Sequence, residues 1–179
     1  MVGPLAFPAL RPRPWKSQTG FSYLFLLFFV AILGAGLAAI SDVWMTSVTR
    51  EKEAELLFVG TQYRRAIARY YESTPGGMKQ YPPQLEDLLL DPRFPDPRHH
   101  LRDAYPDPIT GSSDWVVTKA PQGGIMGIAS SSEARPLKTA GFIGANSVFE
   151  PLAERLGDKL RYRDWEFVYD PAMRSSVAP

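Results

Sequence analysis

The chain has 179 residues, a formal net charge of +1 and no cysteine. This length allows one small globular domain beside a separate N-terminal segment, and a charge so close to neutral argues against a nucleic-acid partner. The lack of cysteine excludes disulfides and Cys-based zinc sites, so packing must provide the stability.

A basic leader and a long apolar stretch open the chain. Arg11, Arg13 and Lys16 precede the stretch without an acidic residue, and the first charge after it is Asp42. Residues 21–40 match the about 20 residues that cross a bilayer, whereas a secretory signal has an apolar region of about 7 to 15. We therefore predict a transmembrane helix at 21–40, with the basic leader, residues 1–20, in the cytoplasm.

The apolar stretch has two other interpretations. Gly36-Leu37-Ala38 offers small residues at the spacing that signal peptidase accepts, so a cleaved export signal is an alternative. A buried core helix is disfavoured, because so continuous an apolar run is costly in water.

The helical pattern continues beyond the apolar stretch. No proline occurs between Phe21 and Pro75, so residues 41–73 are predicted to continue the same helix, which would run from Phe21 to Tyr71. Apolar residues recur along it at three- and four-residue steps and predict one face that packs on a sheet. These residues are Leu56, Val59, Tyr63, Ala66, Ile67 and Tyr70.

Residues 74–171 are predicted to form a loop and β-sheet domain, followed by a disordered tail at 172–179. Proline and glycine after Ser73 end the long helix, and a short proline-initiated helix with inward-facing leucines follows. Alternating or short apolar runs bounded by turn residues predict three strands. The strands are expected at 115–117, 124–130 and 165–169, and a further short helix at 146–156. The predicted fold class is α+β, with a long N-terminal helix packed on a small antiparallel sheet.

The junction of leader and apolar stretch resembles a known family. Gly20-Phe21-Ser22-Tyr23-Leu24 is similar to the Gly-Phe-Thr-Leu-Ile start of type IV pilins and of type II secretion pseudopilins. Tyr81-Pro82 and the turn Asp107-Pro108-Ile109-Thr110-Gly111 also have counterparts in pseudopilins. The resemblance implies a pilin-like fold, cleavage by prepilin peptidase after Gly20, and methylation of the new N-terminal Phe21.

One departure from the family bears on assembly. Pilins usually carry glutamate as the fifth residue after the cut, and this chain has Phe25. The family includes a minor, tip-located subunit without this glutamate, so the resemblance implies a minor or divergent subunit. Gly34 and Gly36 are small residues that allow helices to approach closely, and with Phe25 they are the predicted assembly residues.

No catalytic residue, metal site or cofactor is predicted. His99 and His100 are adjacent, so their side chains diverge, and they are expected to be solvated loop residues. Major pseudopilins bind calcium in an acidic loop after their second strand. The equivalent stretch here, residues 130–137, has Glu133 as its sole carboxylate, so this site is predicted to be missing.

These observations predict a non-enzymatic pseudopilin-like subunit of a type II secretion system or related type IV filament machine. Its expected partners are other pilins or pseudopilins, prepilin peptidase, inner-membrane secretion or pilus assembly components, and the lipid bilayer. Its expected location is the bacterial inner membrane, as a single-pass protein with a periplasmic C-terminal domain. The alternative is a signal-anchored or secreted periplasmic binding protein or enzyme, with its site in the loop around His99 and Asp107.

Overall fold

The computed structural model describes residues 19–174, except for the side chains at 19–20, 36–43 and 173–174. Predictions for residues 1–18 and 175–179 lie outside this range. Within it, the chain has three α-helices and one three-stranded antiparallel sheet, which confirms the α+β class. The helices are α1 (Thr19–Glu72), α2 (Glu150–Leu156) and α3 (Pro171–Arg174), and the strands are β1 (Val116–Lys119), β2 (Ile125–Ala129) and β3 (Phe167–Val168).

The chain divides into two compact units. The N-terminal unit ends at Trp44 and the C-terminal unit begins at Met45, so each unit contains a part of α1. All other described elements belong to the C-terminal unit.

The apolar stretch requires a correction. Crossing the hydrocarbon core takes about 20 consecutive apolar residues. Among the residues that the structure describes, no helix has a stretch long and apolar enough for this. The predictions of a transmembrane helix at 21–40 and of a single-pass inner-membrane location are therefore wrong.

The predicted apolar face of α1 forms the core of the C-terminal unit. Each of its six residues keeps 3% or less of its surface exposed, whereas Glu51, Arg65 and Arg69 on the remaining faces are exposed. The three- and four-residue spacing thus places one stripe inside, as in an amphipathic helix. The buried residues are Leu56, Val59, Tyr63, Ala66, Ile67 and Tyr70.

The sheet has the order β1-β2-β3. In the antiparallel register, Val117 lies opposite Ile128, and Gly127 lies opposite Val168. Helix and sheet are in close contact at Gly60, where an added Cβ would lie 2.4 Å from ring atoms of Phe167. Glycine at this position of α1 therefore sets how closely the sheet can pack.

An aromatic cluster completes the core of the C-terminal unit. Trp165 is 0% exposed, and its ring packs edge-on against Phe142 and Tyr162, with centroid distances of 5.4 and 5.6 Å. Phe149 stacks on Trp165 at 6.0 Å and meets Phe167 of β3 edge-on at 5.2 Å. Residues 138–163 had no predicted role beyond a short surface helix, yet this segment supplies Phe142, Phe149 and Tyr162 to the core. The predicted helix at 146–156 is present as a 3-10 turn, Gly144–Phe149, that leads into α2.

Candidate functional site

The first candidate site is the apolar surface at the start of α1. Every described side chain from residue 21 to residue 35 is exposed, and the large ones keep between 49% (Leu27) and 75% (Phe21) of their surface exposed. A helix that is apolar on all sides is normally buried, and an exposed patch of this kind marks an interaction site. We call this set the apolar helix surface. Its large members are Phe21, Tyr23, Leu24, Phe25, Leu26, Leu27, Phe28, Phe29, Val30, Ile32 and Leu33.

The five residues that the sequence singled out all lie in α1. The Gly20–Phe21 bond is in the first turn, where helices fray. Phe25 is 65% exposed and follows Phe21 by one turn, so the two share a face. At about 3.6 residues per turn, Gly36 falls on the face of Phe25 and Gly34 on the opposite face. A Cβ added at Gly34 would meet nothing within 4 Å. The predicted assembly residues therefore lie on two opposite faces of the helix and do not form one contact face.

The second candidate site is a buried ion-pair network at the C-terminal end of α1. Asp91 is 1% exposed, and its carboxylate accepts hydrogen bonds from Arg93 (Nε to Oδ1, 2.9 Å; Nη2 to Oδ2, 2.6 Å) and from His100 Nε2 (2.9 Å). Arg93 also donates to the Tyr70 carbonyl (2.9 Å) and to the Thr74 hydroxyl (2.8 Å). The last carbonyls of a helix lack intrahelical donors, so Arg93 caps α1. We call these five residues the Asp91 network.

The network is held together by charge. Burial opposes ionisation of Asp91, but hydrogen bonds from Arg93 and His100 outweigh it and hold the pKa of the carboxyl below its usual range. The guanidinium also lies 3.5 Å from the centroid of the Tyr70 ring, a cation–π contact. The expectation of solvated histidines is wrong for His100, which is 7% exposed. His99 is exposed, and its Nδ1 contacts the Leu89 carbonyl.

Glu53 of α1 holds the loop that contains Leu137 and Lys138 against the helix. This residue is 2% exposed, and its carboxylate accepts hydrogen bonds from the backbone N–H groups of Leu137 and Lys138 (3.1 Å for Lys138) and from the Tyr162 hydroxyl (3.0 Å). Burial and then the charge of Glu53 raise the pKa of Tyr162. Three donors compensate the desolvation of a buried carboxylate, so Glu53 anchors the loop.

Asp107 organises the turn before β1. Its carboxylate is buried and accepts hydrogen bonds from Ser130 (2.6 Å), Thr110 (3.1 Å) and the Ile109 N–H (2.9 Å). The Gly111 N–H donates to the Asp107 carbonyl at 2.7 Å and closes the turn. The Asp107 carboxylate is 0% exposed and already bonded to these partners. It therefore stabilises the turn and is not accessible to a ligand from solvent.

The described residues offer no metal site. Among the side chains that the structure describes, no three from His, Cys, Asp or Glu are grouped so that they could hold a metal ion. Glu133 pairs with Arg163 at the surface.

Comparison with known proteins leaves the family of the chain open. No protein-family model matches the chain, and no curated protein and no solved structure is significantly similar to it.

Sequence reasoning missed Glu53 and Arg93. A signal for Glu53 is present, because it precedes Leu56 by three residues and so falls on the apolar face, where a carboxylate must find donors. Arg93 carries no such signal, because the path of the loop brings it to Tyr70, 23 residues away in sequence.

Proposed function

We propose that the chain is a pilin-like structural subunit of a type II secretion system or related type IV filament machine. It assembles with other pilin-like subunits through the apolar helix surface and performs no catalysis. The observation that carries this proposal is the exposure of every described side chain from residue 21 to residue 35. Bringing such a surface out of water contributes about 25 cal/mol per Å² of apolar area, so partners are strongly favoured to cover it.

The organisation of the C-terminal unit supports the same proposal. Its core, the Asp91 network and Glu53 all fix loops on α1, so the unit is built around the helix that would carry it into an assembly. The rival interpretation, a periplasmic binding protein or enzyme, expected a site around His99 and Asp107. The buried Asp107 carboxylate, which is already bonded to three donors, does not support that site.

Processing at Gly20 is the first test. When the chain is produced together with a prepilin peptidase, we expect its intact mass to fall by residues 1–20 and to rise by one methyl group, carried on Phe21. Gly20→Leu should leave the chain uncut, because the peptidase of the family cuts after glycine. An uncut wild-type chain would contradict the processing step, and a new N-terminus near Ala39 would indicate an export signal instead.

Contact through the apolar helix surface is the second test. Because the chain has no cysteine, Phe25→Cys introduces a single thiol, and we expect copies to form disulfide-linked dimers under mild oxidation. A charge at the same place, Phe25→Arg, should shift the protein from assemblies toward single chains in sedimentation, because an unpaired charge is costly in an apolar contact.

Met78 provides the matched control, since it is 79% exposed and lies outside the helices. Met78→Cys should cross-link at least about tenfold less than Phe25→Cys, and Met78→Arg should leave sedimentation unchanged; this tenfold margin corresponds to about 1.4 kcal/mol of preference for the helix contact. Equal cross-linking at the two positions would refute the proposed assembly surface.

A further inference from the structure

The C-terminal unit contains an apolar pocket beside two arginines. The cavity has a volume of about 300 Å³ and lies between α1 and the segment at 144–148. Its apolar wall includes Ala68, Val148 and Val168, and Arg64 and Arg65 border it. We call it the Arg65 pocket. Val148 is 51% exposed, so the apolar wall is open to a partner.

The charges of the Arg65 pocket are not balanced. Arg64 donates to the carbonyl of Ala145 at 2.7 Å, and burial followed by the charge of Arg65 lowers the pKa of Arg64. Arg65 is exposed and is not a member of any ion pair among the described residues. Asp170 is the one acidic residue of the lining, and its carboxylate accepts the Ala172 N–H at 2.9 Å. The surplus positive charge favours a partner that combines an apolar group with a carboxylate.

The chain itself has an exposed segment that combines an apolar side chain with a carboxylate. Leu90 is 53% exposed, and its N–H donates to the carbonyl of Glu86 at 3.2 Å. This bond places the two residues one helical turn apart, so the exposed carboxylate of Glu86 and the side chain of Leu90 share a face. A leucine side chain is small enough for a cavity of about 300 Å³.

We propose that the Arg65 pocket of one copy receives Leu90 of a second copy, with Glu86 of that copy paired to Arg65. The two surfaces differ, so the contact is heterologous, and such contacts extend into open filaments when the rotation does not close. This inference rests on the proposed function as a structural subunit. It adds a contact between C-terminal units, separate from the apolar helix surface.

Mixed cross-linking of full-length chains tests the contact. Val148→Cys and Leu90→Cys are made in separate chains, which contain no other cysteine. We expect a disulfide-linked dimer when the two variants are mixed and oxidised, and little dimer from either alone. The control mixes Val148→Cys with Met78→Cys, whose native side chain is 79% exposed at another site. A yield no higher than that of the control would overturn the proposal.

A charge exchange tests the ion pair. Adding Arg65→Glu to the Val148→Cys chain should lower the mixed dimer yield roughly tenfold, because like charges then face each other. Adding Glu86→Lys to the Leu90→Cys chain as well should restore the yield, whereas no recovery would refute the pairing of Glu86 with Arg65.

Phe25→Cys separates this inference from the proposed function. If copies still cross-link through Phe25 while the Val148 and Leu90 pair does not, the Arg65 pocket contact alone fails. If Phe25 does not cross-link, the proposed function fails, and with it the premise of this contact.

Discussion

Replacing Asp91 with alanine is expected to lower the free energy of unfolding of the C-terminal unit by about 3 to 5 kcal/mol. Removing one partner of a buried ion pair leaves the others as uncompensated polar groups, and here these are Arg93 and His100. The loss also frees Arg93 from the position in which it caps the carbonyl of Tyr70. Urea unfolding of the full chain, followed by near-ultraviolet circular dichroism, measures the change.

Asp158 is the matched control for this variant. It pairs with Arg135, but its side chain is 91% exposed, so Asp158→Ala should change the free energy of unfolding by less than about 1 kcal/mol. If Asp91→Ala and Asp158→Ala lower the free energy of unfolding equally, the buried Asp91 network does not stabilise the fold more than an exposed ion pair does.

The same network predicts a pH dependence of stability. The pKa of Asp91 is lower in the folded chain than the value of about 3.9 expected when unfolded. Its contribution is therefore complete above that unfolded pKa and is lost as the pH falls through the folded pKa. In Asp91→Asn, the free energy of unfolding should therefore fall less steeply with decreasing acidic pH than in the native chain. An unchanged dependence on acidic pH would show that Asp91 is not its source.

The core of the C-terminal unit could be predicted because it depends on local spacing. Residues at three- and four-residue steps share a helix face whatever the rest of the chain does, and the six predicted residues of α1 are buried. The strand positions followed from turn residues for the same reason. Proline, glycine and aspartate determine the backbone conformation of the residues next to them, as the Asp107 turn shows.

The Asp91 network and the Arg65 pocket could not be predicted, because long-range contacts create them. His100 reaches Asp91 through a loop whose path no spacing rule specifies, so its burial was missed. Val148 and Arg65 line the same cavity because a long loop returns to α1, and no spacing rule specifies this return.

The apolar stretch was predicted wrongly for a different reason. The prediction of a membrane span used the length of the stretch, whereas no described helix is long and apolar enough to cross a membrane, and the described side chains form an exposed apolar surface.

Gly60→Ala is expected to lower the free energy of unfolding by about 2 to 3 kcal/mol, although alanine is the better helix former. The added Cβ would lie 2.4 Å from three ring atoms of Phe167, which is 0% exposed and part of the core. Either the ring leaves its rotamer or β3 moves away from α1. Thermal unfolding of the full chain measures the loss.

Gly34→Ala is the matched control, since it makes the same change in the same helix where a Cβ meets nothing within 4 Å. It should leave the unfolding of the C-terminal unit unchanged. In a Phe167→Leu background the ring is absent, so Gly60→Ala should cost at least about 1 kcal/mol less than in the native chain, a coupling typical of residues in contact. Additive effects of the two substitutions would show that the close approach at Gly60 does not limit the packing of helix on sheet.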